Sequence, residues 1–420
     1  MASRLILGRR SSSSRTVGFT NHVAATVKGE PILYSGDGHV LTLAPTGSGK
    51  STGPVICNAL THPGQMIAID MKGEIHAATA EARRNMGQEI HVLDLRDDPL
   101  PGALNPLDLI THCGTESAVL ARSFAAEMIE RPNDERDRFW NDWAETMLCG
   151  AISWLLADRP AEERKLSAVF DLFNSEDVDY KLACMLDKKE YVRDRAAKAA
   201  FTAYLQLSDN ATRPSVLGST QTHLRLFDSE LSRRLTDTTS MDVTGFVEGA
   251  PMSLYIIVPP SRLTAYRPLL RLWLSGLILA ATHRTTPPKD RTLMLCDEIG
   301  NLGRIDAFLT AATLLRSSGF TLWTFWQNVA QLSAYGAQAN TLIDNAGVVQ
   351  VFGARNLRAA QEIASILGGM SAEQILSLPP DEQVLLIEGK LVRCKQVRYY
   401  NDELFCSQRL SGERPFSGKQ

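Results

Sequence analysis

Paired cysteines are missing from this chain. Seven cysteines lie scattered at positions 57, 113, 149, 184, 296, 394 and 406, with no C-x-x-C pair. An odd, dispersed set excludes a disulfide framework and a thiolate zinc site, and reads as reduced thiols of a cytosolic protein. The eight histidines form no H-E-x-x-H pattern, which argues against a zinc centre as well. No apolar run reaches the ~18–20 residues needed to span a bilayer. The best candidate, residues 268–282, is too short and carries Arg271, so a core helix is expected there. Global positive charge is also lacking: the formal net charge is −3. Any nucleic-acid contact must therefore come from local basic patches. Internal repeats are absent, and low-complexity sequence is confined to the serines at 11–14.

What remains is ordinary globular material. Hydrophobic content of 44% and charged content of 22% over 420 residues allow two to three domains with a large core. The N-terminus has Arg4, then Leu5-Ile6-Leu7, then Arg9-Arg10 and the serines. Its apolar part is too short for a secretory signal, so a flexible basic arm is expected. Short β-rich apolar runs recur at 40–43, 66–69, 90–95, 254–258, 293–296, 321–325 and 348–352. Helical stretches alternate with them, which predicts a mostly parallel sheet covered on both faces. Between about 109 and 213 the rhythm stops. Residues 136–156 place Phe139, Trp140, Trp143, Met147, Leu148, Ile152 and Leu155 near helical spacing, as core positions of an all-helical insertion.

The run at 40–52, Val-Leu-Thr-Leu-Ala-Pro-Thr-Gly-Ser-Gly-Lys-Ser-Thr, carries the most chemistry. An apolar strand ends in a turn of Thr46, Gly47, Ser48 and Gly49, and Lys50, Ser51 and Thr52 open a helix. Glycines let backbone N–H groups converge on phosphate oxygens, and the helix N-terminus adds donors and partial positive charge. Lys50 is placed to reach the β/γ-phosphates and the Ser51 hydroxyl to ligate Mg²⁺. Ala44 stands where the P-loop pattern has its first glycine.

A second strand, 291–296, ends in Asp297 and Glu298. Two acids at a strand end are often merely solvated. Paired with a P-loop, they read as the acid that holds Mg²⁺ through water and the acid that polarises the attacking water. Arg316 lies on the helix before the next strand, where it can reach a neighbouring subunit's γ-phosphate. Gln327 sits just past the strand 321–326, at the edge where ligands bind in α/β sheets, and can sense the γ-phosphate. Arg225, Arg233 and Arg234 form a basic cluster, but Asp228, Glu230 and Asp237 interleave with it, as on a solvated helix face.

These motifs, in order, resemble the TraG/TraD-type coupling proteins of type IV secretion and conjugation, relatives of the FtsK/HerA translocases. His39 through Lys50 is similar to the family's H-x-L-x-x-A-P-T-x-S-G-K line. Asp70-Met71-Lys72-Gly73-Glu74 is similar to its D-P-K-G-E, with Met71 for proline. Asn105-Pro106-Leu107 matches its N-P-L, and Phe139-Trp140 followed by Ala144 resembles the start of its helical domain. Asp297-Glu298-Ile299-Gly300-Asn301-Leu302-Gly303 is similar to D-E-F-x-N-L-G. Gln327, Gln331-Leu332 and Tyr335-Gly336 resemble Q-x-x-x-Q-L-x-x-x-Y-G, one residue shorter before the tyrosine.

The resemblance implies a RecA-like α/β P-loop NTPase sheet domain with an inserted all-α domain. The expected division is an N-terminal arm at 1–34, nucleotide-binding parts at 35–110 and 214–400, the insertion at 111–213 and a tail at 401–420. It implies a homo-hexameric ring that binds ATP and Mg²⁺, engages the relaxase–DNA complex and feeds single-stranded DNA to the type IV secretion channel. By position, the arginine finger and glutamine sensor fall on Arg316 and Gln327. Most members begin with transmembrane helices and none is visible here, which fits either a soluble variant relying on a separate membrane partner or a truncated chain; a cytoplasmic location, peripheral at the inner face of the membrane, is expected. A competing reading is an adaptor whose nucleotide only orders a ring that recruits protein substrates without moving DNA.

Overall fold

The computed structural model describes residues 4–10, 29–111, 117–129, 138–188, 191–208 and 211–406. Among them, one eleven-stranded sheet dominates. Its strands are β1 (Leu5–Arg9), β2 (Pro31–Tyr34), β3 (His39–Leu43), β4 (Met66–Asp70), β5 (Glu89–Asp94), β6 (Met252–Ile257), β7 (Thr292–Cys296), β8 (Phe320–Trp326), β9 (Ala346–Val351), β10 (Glu382–Ile387) and β11 (Lys390–Lys395). The spatial order is β2-β1-β11-β10-β9-β3-β8-β7-β4-β6-β5. From β9 across to β5 every pair is parallel, and from β9 out to β2 every pair is antiparallel. The seven apolar runs read as strands are these parallel strands.

Successive side chains of the parallel strands point to opposite faces, and each face has its own core. Ile67, Leu254, Met294 and Leu322 join one cluster; Ala68, Tyr255, Leu293 and Trp323 join the other. Between β5 and β6 the described elements are all helical. The long helix Arg138–Asp158 buries Ala144, Met147, Leu148, Ile152 and Leu155 against the helices Ser117–Met128, Arg195–Leu205 and Thr212–Leu224. This helical core is continuous with one face of the sheet. Phe139 differs from expectation. It is 51% exposed and meets Trp140 edge-on instead of entering the core. The helical stretch also runs beyond 213, through Glu230–Thr236 and Val243–Glu248, before β6 resumes the sheet.

The reading of residues 1–34 as a flexible arm needs correction. All five residues of β1 are buried, between β2 and β11. The Asn58 side chain accepts from the Ile6 N–H (2.8 Å) and donates to the Ile6 carbonyl (2.9 Å). The Arg9 guanidinium forms a two-pronged pair with the fully buried Asp402 carboxylate, at 2.8 and 2.5 Å. Residue 402 thus belongs to the sheet domain, not to a tail, while residues 11–28 and 407–420 lie outside the described residues. Breaking a buried pair leaves an uncompensated charge, so Asp402→Ala should cost about 3–5 kcal/mol in urea unfolding, with little change from a surface pair such as Arg358–Glu362.

His39, just ahead of the P-loop, has a tautomer set by its partners. Its Nε2 lies 2.8 Å from the Ala311 carbonyl and must donate, so Nδ1 accepts the Leu322 N–H at 3.0 Å. A second ring proton would break the bond to Leu322, and burial already pulls its pKa from 6.5 to about 4. Burial does the same to His62. Between pH 6.5 and about 4 the unfolded chain therefore binds more protons than the folded one. Stability should be full above pH 6.5 and fall by roughly 3 kcal/mol per histidine as the pH drops to about 4. Unfolding curves across that range check this, and His39→Gln should flatten the dependence.

Candidate nucleotide site

β3 delivers the chain to the sheet's carboxyl edge, where the Ala44 N–H still pairs with the Trp326 carbonyl at 2.8 Å. Ala44 is fully buried and keeps a negative φ, so nothing in the backbone requires glycine there. Gly47 and Gly49 do take left-handed conformations, with φ of 77° and 89°, which side chains resist. The turn closes with the Ser48 N–H on the Pro45 carbonyl (3.1 Å). The following helix breaks at Gly53 and Pro54 and resumes at Ile56–Thr61.

The P-loop and the β7 acids meet. Ser51 Oγ donates to Asp297 Oδ2 at 2.6 Å, and the buried Lys50 Nζ lies 3.4 Å from Glu298 Oε1 and 3.8 Å from Asp297 Oδ1. Burial pushes the Asp297 carboxyl above the usual carboxylate range and Glu298 adds to this, while Lys50 and Ser51 oppose it. Glu298 itself sits at φ 55°, a conformation costing a non-glycine residue about 1–3 kcal/mol. Buried Ile299 and Leu302 hold the turn that imposes it. Two polar atoms here are buried without a hydrogen-bond partner among the described residues: Asp297 Oδ1 and Ser48 Oγ. Such orphans are rare. A hard cation beside Ser51 would satisfy the first and a phosphate oxygen the second, so the donor set fits Mg²⁺ and a polyphosphate.

The remaining sequence candidates divide. Gln327 follows β8, which lies between β3 and β7, and so stands at the same carboxyl edge. Its N–H donates to Gln331 Oε1 at 2.8 Å. The Gln331 amide in turn fills the space a Cβ on Gly300 would take, linking this edge to the loop after Glu298. Arg316 is elsewhere. It precedes β8, at the amino edge of the sheet, and is 64% exposed with a 2.5 Å ion pair to Asp37. A seven-residue strand spans ~20 Å, so Arg316 does not approach Lys50 of its own chain. Asp70 caps the turn after β4, accepting from the Gly73 and His76 N–H groups at 2.8 Å each.

Sequence reading missed two arginines on the loop. Arg355, after β9, donates to the Thr46 carbonyl, and Arg398, after β11, donates to the Ser48 carbonyl at 3.2 Å. Neither belongs to a local motif, so only the folded chain reveals them.

A P-loop at the end of one parallel strand, an acid pair at the end of another and a strand ending beside Gln327 between them define a RecA-like P-loop NTPase fold. The profile of the family described as type IV secretory system, conjugative DNA transfer, matches residues 6–374, and the chain belongs to that family. It is 26% identical over 412 residues to the protein VirD4 of Rhizobium rhizogenes, covering 87% of this chain and 59% of that one. It is 25% identical over 358 residues to the conjugal transfer protein TraG of Escherichia coli, covering 80% and 56%. The chain thus spans less than two thirds of these relatives' length. The plasmid coupling protein TrwB, solved with a non-hydrolysable ATP analogue, superposes with a TM-score of 0.68 at 16% identity, covering 93% of this chain and 94% of the other. Among the described residues no helix is long and apolar enough to cross a membrane.

Proposed function

We propose that this chain is the ATP-hydrolysing motor of a conjugative coupling protein, which recruits the relaxase–DNA complex and drives single-stranded DNA into a type IV secretion channel. One observation carries the ATPase part: Lys50, Ser51, Asp297 and Glu298 converge around a buried carboxylate oxygen, Asp297 Oδ1, that has no hydrogen-bond partner among the described residues. Bound Mg²⁺ would neutralise phosphate charge there. Ser51 and, through water, Asp297 would hold it. Lys50 exchanges Glu298 for the β/γ-phosphates, which frees Glu298 to orient the attacking water. Gln327 reports the γ-phosphate along its link to Gln331. Arg316 faces away from its own site, which suits action on the neighbouring subunit's nucleotide in a homo-hexameric ring. Family membership supports DNA and secretion-channel partners, and the proposed place of action is the cytoplasmic face of the membrane.

The test is ATP hydrolysis by purified protein with and without single-stranded DNA. Stimulation by DNA, absent in Lys50→Ala, is expected. Hydrolysis that is unaffected by DNA or survives Lys50→Ala would overturn the motor reading, and DNA binding should weaken steeply with salt.

A further inference from the structure

Within the site, Lys50 is the P-loop's own cation and it faces two carboxylates, Asp297 and Glu298. Its charge is therefore more than compensated before any nucleotide arrives, and a nucleoside triphosphate brings further negative charge. Arg355 and Arg398 stand out against this background. Arg355 donates to the Thr46 carbonyl; Arg398 donates to the Ser48 carbonyl (3.2 Å), the Gln396 side-chain oxygen (3.0 Å) and, more weakly, the Tyr400 hydroxyl (3.4 Å). All of these partners are neutral oxygens. Arg9, Arg96, Arg262 and Arg393, by contrast, each pair with a carboxylate, while the buried Arg83 and Arg284 also bond only neutral oxygens, none of them on the P-loop. The Arg398 guanidinium lies so close over Gly49 that a Cβ there would sit 2.2 Å from Nη1. The neighbouring chain is tied to the same helix, since the Tyr399 N–H donates to the Thr52 carbonyl at 3.0 Å. Two cations with no carboxylate partner among the described residues are thus held against the phosphate-binding turn, one from the segment after β9 and one from the segment after β11.

We propose that Arg355 and Arg398 are same-chain counter-charges for the nucleotide's polyphosphate, setting affinity for di- and triphosphates over monophosphate. The inference rests on the P-loop being the nucleotide site. A purely mechanical brace needs only hydrogen-bond donors; a counter-charge needs the positive charge, within about a Debye length of the phosphates and therefore sensitive to salt. That difference makes the two roles separable.

The experiment is equilibrium binding of fluorescent mant-labelled, non-hydrolysable ATP analogue and of mant-AMP, with Mg²⁺, over a range of KCl concentrations. It compares the full chain with Arg355→Gln, Arg398→Gln, Arg398→Lys and Lys50→Ala. Glutamine keeps a donor for the loop carbonyl, so the loop retains its shape. Each Gln variant should weaken the triphosphate analogue about tenfold at low salt and flatten its salt dependence, with AMP binding changed by less than about twofold. Arg398→Lys should recover most of the affinity. In turnover, the Gln variants should raise KM far more than they lower kcat. Equal affinity in wild type and the Gln variants would overturn the inference. So would a loss of the same size for Lys and Gln variants with an unchanged salt slope, which marks a brace. Wild-type binding by Lys50→Ala would instead show that the nucleotide site itself lies elsewhere.

Discussion

Glu298→Gln should lower kcat for ATP by about 10²–10⁴-fold while leaving nucleotide binding intact or tighter. The side chain is at the right edge of the sheet, 3.4 Å from Lys50 Nζ, and its backbone is held in a left-handed conformation that glutamine can share. The amide keeps the volume and the turn but cannot accept a proton from water. It also removes a negative charge beside the incoming phosphates, which is why affinity should not fall. Asp297→Asn has a different signature. Asp297 receives the Ser51 hydroxyl bond and owns the orphaned oxygen, so its loss should weaken Mg²⁺-dependent binding itself. Parallel measurements of turnover and of nucleotide binding with and without Mg²⁺ separate the two acids. Equal loss of binding in both variants would contradict the roles assigned to them.

Arg316→Ala should be as severe by another route, with a loss on the order of 10³–10⁵ in kcat and unchanged nucleotide affinity. In a parallel sheet the residues before β8 and those after β3 lie at opposite edges, so the proposed finger would serve a site only across a subunit boundary. The exposed pair with Asp37 holds it without burying it, and a surface pair is weak enough to give way. Mixing supplies the check. Arg316→Ala rings and Lys50→Ala rings should each be inactive, but co-assembled rings should regain part of the activity, because a Lys50→Ala subunit still offers its arginine to an intact neighbouring site. Inactivity of the mixed rings, with mixing verified, would contradict action in trans.

The parallel strands were legible because burial on both faces leaves nearly continuous apolar runs, as at β4, β7 and β8. The antiparallel half was not. β11 carries three basic residues in six, Lys390, Arg393 and Lys395, and buries only Cys394, and β1 is five residues between basic and serine-rich flanks. What makes β1 a strand is distant: Asn58 on its amides and Asp402 on Arg9. Within the site, Lys50, Ser51, Asp297 and Glu298 were readable because phosphate and Mg²⁺ chemistry dictates residue types at fixed spacing. Gln331 stood in a motif, yet its link between the Gln327 edge and Gly300 appears only in the fold. Arg355 and Arg398 were hidden for the same reason: about 300 residues or more separate them from the loop they touch. The helical insertion was recognised by its lack of strands, but its end was not, since Thr212–Leu224 through Val243–Glu248 form one packed layer with the helices before them.

Conjugative transfer from a donor strain deleted for this protein tests the central claim most directly. Wild-type protein should restore DNA transfer, whereas Lys50→Ala and Glu298→Gln, expressed at equal level, should remain at the deletion background. Wild-type transfer by Glu298→Gln, shown in vitro to bind but not hydrolyse ATP, would contradict a hydrolysis-driven motor and leave the nucleotide only an organising role.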